Sequence, residues 1–152
     1  MFLPPTGPAG APRPKTILIL DADPAVRATI RATLGKSGFA TIAAANAEDA
    51  AVLCTDATVD LAIVDDSADG RAAIDWLRAR DLDGKVLLLT HAVQPEHPEF
   101  VAEAALQSGA DRALSRPFTL SYLVHVVHEM VTPFKPSVVL APTASSLPLA
   151  QQ

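Results

Sequence analysis

The sequence predicts a doubly wound α/β fold, a (βα)5 unit with a five-stranded parallel sheet and helices on both faces. Three observations predict it. Short runs rich in β-branched residues and leucine alternate with longer stretches whose apolar residues recur at spacings of three and four, as strands and amphipathic helices in alternation would. The strand-like runs are apolar almost throughout, as strands covered on both faces must be. The chain is 49% apolar but only 5% aromatic, which suits small side chains packed between close layers. At 152 residues it fits one domain with a core large enough to need neither disulfide nor structural metal.

The opening MFLPPTGPAGAPRPK carries its basic residues after the prolines and has no continuous apolar stretch, so residues 1–14 read as a disordered Pro-rich arm and not as a secretory leader. The domain then runs over 15–132. TILIL, from Thr16 to Leu20, is the first strand. Asp23-Pro24 starts the first helix: aspartate accepts from the free N–H groups of the first turn, and proline lacks the donor that would be wasted there. Val26, Ile30 and Leu34 form its buried stripe. ATIAA, from Ala40 to Ala44, is the second strand, and Asn46 caps the second helix with Asp49 three places on. LAIV (Leu61 to Val64) and KVLLL (Lys85 to Leu89) are the third and fourth strands, with a helix after each. The fourth helix takes Pro98 as an early residue and ends at Ser108-Gly109, where glycine is free to turn left-handed. RAL, from Arg112 to Leu114, is the fifth strand. The last helix places Leu120, Leu123, Val124, Val127 and Val131 on one apolar face. Residues 133–152, PFKPSVVLAPTASSLPLAQQ, read as a flexible tail.

Charge and cysteine content exclude several functions. A net charge of -5 argues against nucleic acid as a partner, because the phosphate-backbone term needs clustered Lys and Arg. No run approaches the roughly 18 apolar residues that a membrane span needs. Cys54 is the single cysteine. It reads as a buried small hydrophobe, and a reducing, cytoplasmic setting is expected.

In an open parallel sheet, chemistry gathers beyond the carboxyl ends of the strands. There the sequence places Asp21, Ala22 and Asp23 after the first strand, Asp65 and Asp66 after the third, Thr90 after the fourth and Arg116-Pro117 after the fifth. Carboxylates, a hydroxyl and a cation in one place suit oxygen coordination of Mg2+ and stabilisation of a phosphoryl group on a carboxylate.

ILILDADPAVRATI, VDLAIVDD, VLLLTHA and GADRALSRPF, in that order, resemble the receiver domain of two-component response regulators, a flavodoxin-like fold. The resemblance spans roughly Lys15 to Val131. It implies that Asp65 is the phospho-acceptor, Thr90 the switch hydroxyl, Arg116 the phosphate-binding cation, and Asp21, Asp65 and the Ser67 carbonyl the Mg2+ ligands, with a cis bond before Pro117. Histidine kinases or phosphotransfer proteins are the implied partners. The departures are as specific. Ala22 replaces the acid that contacts the metal directly, and Arg116 replaces a lysine, exchanging a point charge for a planar fork. The segment DDSADG is shorter than the family's loop and lacks its proline, so the Ser67 carbonyl is expected out of place. Ala113 replaces an aromatic rotamer switch, and His91 follows Thr90 where the family has a small residue.

The resulting expectation is an atypical receiver with impaired or altered aspartyl phosphorylation that works by protein contact, with no catalysis beyond events at Asp65. Tyr122 and Val126, off the stripe of the last helix, are expected with Ala113 to form a docking or homodimer face. Asp23 and Asp66 are the candidates to replace the missing ligand, although Asp23 has a capping role and Asp66 belongs to the other face of its strand. His125 and His128 make a poor metal pair by themselves. A fully phosphate-competent receiver is the alternative. A flavodoxin-like enzyme or nucleotide binder is less favoured, since the turn DADP has no glycine-rich phosphate cradle. VVLAP, Val138 to Pro142, is expected to serve as a docking tether.

Overall fold

The computed structural model describes residues 13–79, 85–90, 107 and 109–132. The elements run β1 (Thr16–Leu20), α1 (Pro24–Lys36), β2 (Ala40–Ala44), α2 (Ala47–Leu53), β3 (Leu61–Asp65), α3 (Ala68–Ala79), β4 (Lys85–Thr90), β5 (Arg112–Ser115) and α4 (Leu120–Val131). The strands form one sheet in the order β2-β1-β3-β4-β5, every neighbouring pair parallel. The predicted helix between β4 and β5 with Pro98, the loop residue His91, residues 1–12 of the arm and the tail with VVLAP lie outside the described residues.

Alternate side chains of the apolar strands supply the two cores. Leu18, Leu20, Ala62, Val64, Val86 and Leu88 pack with Ala50, Cys54, Ala73, Ile74 and Leu77 on the α2/α3 face. Ile17, Ile19, Leu61, Ile63, Leu87 and Leu89 pack with Ile30, Leu34, Leu123, Val126 and Val127 on the α1/α4 face. Each fully buried Leu or Ile stabilises the fold by about 1.5–3 kcal/mol, so β1, β3 and β4, apolar on both faces, anchor the sheet.

The predicted caps form. Asp23 accepts from Ala25 N–H at 2.9 Å and Asn46 from Asp49 N–H at 2.8 Å; Gly109 adopts φ +87°, while Ser108 lies outside the described residues. Cys54 is buried.

The stripe of α4 holds at four of the five expected residues, with Leu123 and Val127 buried and Val124 and Val131 partly buried against the same core, and departs at two positions. Val126, expected on the docking face, is 1% exposed in the α1/α4 core, while Leu120, expected inside, is 39% exposed. The buried set Leu123, Val126, Val127, continued by partly buried Met130, follows the i, i+3, i+4, i+7 rule and widens the expected stripe on the Val126 side. Tyr122 is exposed, its ring stacked near His125, and Ala113 is partly buried against the α2/α3 core. The two histidines turn to different partners, His128 to the Phe39 ring and His125 to Glu129.

Two acids tie strand starts to their neighbours. Asp60 takes a two-pronged ion pair from Arg13, at 3.0 and 3.2 Å, and the Thr16 N–H at 2.8 Å, so Arg13 of the expected loose arm is fastened to the domain. Asp111 accepts from Arg78 and from Val86 N–H, each at 2.8 Å. Burial acts to raise the pKa of both carboxyls, but the arginine and backbone hydrogen bonds together outweigh it and hold both below the usual value. A carboxyl whose folded pKa is depressed adds stability above its unfolded pKa and loses it as pH falls through the folded one. Thermal stability should therefore hold above about pH 5 and decline below about pH 3.9, the ordinary carboxylate range. Melting curves of Asp111→Asn against the parent should converge as the pH is lowered through that window.

Candidate functional site

The sheet register builds one rim. Leu20 pairs with Val64, Asp65 with Leu89 and Thr90 with Ser115, so Asp21, Asp65, Thr90 and Arg116 emerge side by side at the carboxyl ends of the strands. The Arg116 N–H donates to the Thr90 carbonyl at 2.8 Å, and the Arg116–Pro117 bond is cis.

Asp21 is buried and each of its carboxylate oxygens accepts a hydrogen bond. Oδ1 accepts from Asp23 N–H at 2.9 Å, and Oδ2 accepts from Arg116 Nη2 at 2.8 Å. The ion pair is largely out of solvent, with side-chain exposures of 17% for Arg116 and 7% for Asp21, so it is weakly screened. Arg116 also lies over the Phe118 ring. Its Nε–H is buried without a hydrogen-bond partner among the described residues. Arg27, unremarked in the sequence, donates to the Asp21 carbonyl at 2.6 Å and ties α1 to the rim.

Asp65 is equally enclosed. Its Oδ1 accepts from the Ser67 hydroxyl at 2.6 Å and its Oδ2 from Ala22 N–H at 3.3 Å. Ser67 caps α3 at the same time: its Oγ accepts from Gly70 N–H at 3.1 Å, and its carbonyl accepts from Arg71 N–H at 2.9 Å. The Ser67 carbonyl, expected as a metal ligand, is thus the first backbone acceptor of α3. The cause is the short β3–α3 connection, which starts the helix at Ala68, three residues after Asp65. Gly70 is what permits so tight a join, since a Cβ there would sit 1.9 Å from the Asp65 carbonyl oxygen. The glycine inside a helical pattern was the sequence signal for this close approach.

Asp66 and Thr90 make a second set of contacts. Thr90, 1% exposed, donates from Oγ1 to Asp66 Oδ2 at 3.2 Å, and Arg71 on α3 pairs with Asp66 Oδ1 at 2.9 Å. Asp66 follows the last residue of β3, so strand alternation no longer dictates its direction, and its side chain turns to β4 and α3. Neither candidate for the missing ligand faces the Asp21–Asp65 pair in these contacts, Asp23 being held by its cap and Asp66 by Thr90 and Arg71.

The donor set does not suit Mg2+. That ion demands near-octahedral oxygen coordination, whereas here the position after Asp21 is an alanine, each oxygen of Asp21 and Asp65 already accepts a hydrogen bond, and a guanidinium shares the pocket. Among the described residues no group of three or more His, Cys, Asp or Glu side chains is placed to hold a metal.

Known proteins place this architecture. The family model described as the response regulator receiver domain matches residues 17–128. A Pseudomonas aeruginosa protein assigned as a transcriptional regulator is 34% identical over 112 residues, covering 71% of this chain and 52% of its own length. The chain therefore spans about half the length of that relative. A response regulator from Thermotoga maritima superposes with a TM-score of 0.66 at 24% identity, over 78% of this chain and 98% of the other. The Vibrio cholerae chemotaxis protein CheY4 does so with a TM-score of 0.66 at 21% identity, over 77% and 98%. These two likenesses speak to the fold alone.

Proposed function

Because the chain belongs to the response regulator receiver domain family of two-component signalling, we propose that it is an atypical receiver, one whose aspartyl phosphorylation is impaired or altered and whose work is done by contact with partner proteins. Receiver domains are generally signalling domains and not enzymes, typically bind Mg2+ at the phosphorylation site, and interact with kinases or phosphotransfer proteins. In this reading residues 15–132 form the receiver, flanked by an arm and a tail. Asp65 is the phospho-acceptor candidate, Thr90 its hydroxyl partner and Arg116 the cation of the site. The partner is a histidine kinase, a phosphotransfer protein or another signalling protein, and the exposed Tyr122 end of α4 offers a surface for it or for a second copy. An acidic chain is a poor direct ligand for nucleic acid. No described helix is long and apolar enough to cross a membrane.

The observation that carries the reading is the Arg116–Asp21 ion pair at 2.8 Å. A divalent cation entering beside Asp65 would have to share Asp21 with a guanidinium, without the acid that Ala22 displaces. With the cation ligand lost, the charge that builds up during transfer to Asp65 has, among the described residues, Arg116, the Thr90 hydroxyl and local N–H groups to offset it. Incubation with acetyl phosphate and Mg2+, followed by intact mass, tests this. The expected result is at most a minor phosphoryl adduct; rapid, complete labelling abolished by Asp65→Asn would overturn it. One feature favours the alternative of a phosphate-competent receiver. The unpaired Arg116 Nε–H is a buried donor that a phosphoryl oxygen could satisfy, and buried donors are seldom left orphaned.

A further inference from the structure

We infer that Asp66 acts as a resident anion that positions Thr90 without phosphate, joining the end of β4 to α3 through Arg71. The inference rests on the receiver reading above and specifies how its switch residue is controlled. Three observations meet here. The Thr90 hydroxyl, on a side chain almost wholly buried, donates to Asp66 Oδ2 at 3.2 Å. The second oxygen of the same carboxylate is held by Arg71 Nη2 at 2.9 Å, so the acceptor is fixed by a charge-assisted bond from the first turns of α3. The short β3–α3 connection, sealed by the Ser67 cap and the Gly70 contact with Asp65, brings Arg71 close enough to do this.

The consequence is a hydroxyl that already bonds an anion belonging to the protein. A ligand or modification can shift an equilibrium only by its differential affinity for the two states. A Thr90 already turned to a carboxylate leaves a newly arrived phosphoryl group little reorientation to drive. Asp66 is thus a positioning residue for the switch hydroxyl at the end of β4.

Three-bond couplings from the Thr90 methyl carbon to the backbone nitrogen and carbonyl carbon report its χ1 directly in the unphosphorylated protein. The parent should show one staggered rotamer, and Asp66→Ala should move the couplings toward rotamer-averaged values with the remaining amide spectrum still dispersed. Asp66→Asn keeps the shape and weakens the Arg71 pair, so its couplings should move partway to the averaged values; it decides the matter if the alanine variant fails to fold. Averaged couplings in the parent, or a single unchanged rotamer in the folded variants, would overturn the inference. Phosphoryl labelling of Asp65 in the parent would count against impaired phosphorylation without moving these couplings, so the two failures are distinguishable.

Discussion

Replacing Gly70 with alanine should destabilise the protein by about 2 kcal/mol or more, although the same change inside an exposed helix ordinarily stabilises by up to about 1 kcal/mol. Gly70 needs no unusual backbone conformation, since among the described residues the positive-φ glycines are Gly38 and Gly109. Its reason is space. The added methyl would meet the Asp65 carbonyl oxygen at 1.9 Å and its carbon at 3.0 Å, and both belong to the backbone of a central strand that cannot swing aside. Relief requires α3 to back away from β3, with overpacking costs of about 1–3 kcal/mol or more and loss of the Ser67 bonds to Asp65 and Gly70. Gly35→Ala is the internal control: it lies in α1 with nothing within 4 Å of the added carbon, so it should stabilise by up to about 1 kcal/mol. Urea denaturation of the two variants should move the midpoint in opposite directions with little change in slope.

The second large effect concerns Arg116. Removing it as Arg116→Ala strands Asp21, 7% exposed in its side chain, near Asp65 with no cation between them. Breaking a buried pair from one side costs about 3–5 kcal/mol; the partial exposure of Arg116 puts the expectation at the lower end. The Asp21 carboxylate, freed of its guanidinium, and the neighbouring Asp65 would then attract an external cation. Mg2+ should raise the melting temperature of Arg116→Ala and leave that of the parent unchanged, because only a ligand that binds the folded form stabilises it. Arg116→Lys, which retains the charge, should lose less stability than the alanine variant.

Much of this was legible in the sequence because the features are local or periodic. TILIL and ATIAA coincide with β1 and β2 residue for residue, since a short apolar run between turn signals has little freedom in where it starts. The caps at Asp23 and Asn46 were equally readable, as a side chain bonding two or three residues along the chain needs no tertiary context. The edges of the α4 stripe were not. Leu120, Tyr122, Val124 and Val126 are all apolar or amphipathic, and a helix with apolar residues on most of its circumference leaves the width of its buried face undefined; packing against α1 and the sheet brings Val126 in and leaves Leu120 out.

The rim was legible in its membership and not in its wiring. Strand ends specify that Asp21, Asp65, Thr90 and Arg116 are neighbours in a parallel sheet. Which donor meets which acceptor depends on distances of an ångström, fixed by how α3 is joined to β3. A departure at Ala22 could be read from one letter, whereas the capture of Thr90 by Asp66 and of the Ser67 carbonyl by α3 follows from a loop too short to reach elsewhere. Arg27 gave no signal at all, because an arginine on an exposed helix usually solvates that face.

The acids of this receiver are already bonded within the chain, Asp21 to Arg116 and Asp65 to Ser67 and Ala22. A Mg2+ titration of the unmodified protein, followed through the amide resonances of Asp21, Ala22, Asp65 and Ser67, tests it most directly. No saturable shift is expected at these positions through the millimolar range. A hyperbolic shift confined to those amides and saturating at low millimolar Mg2+ would contradict it.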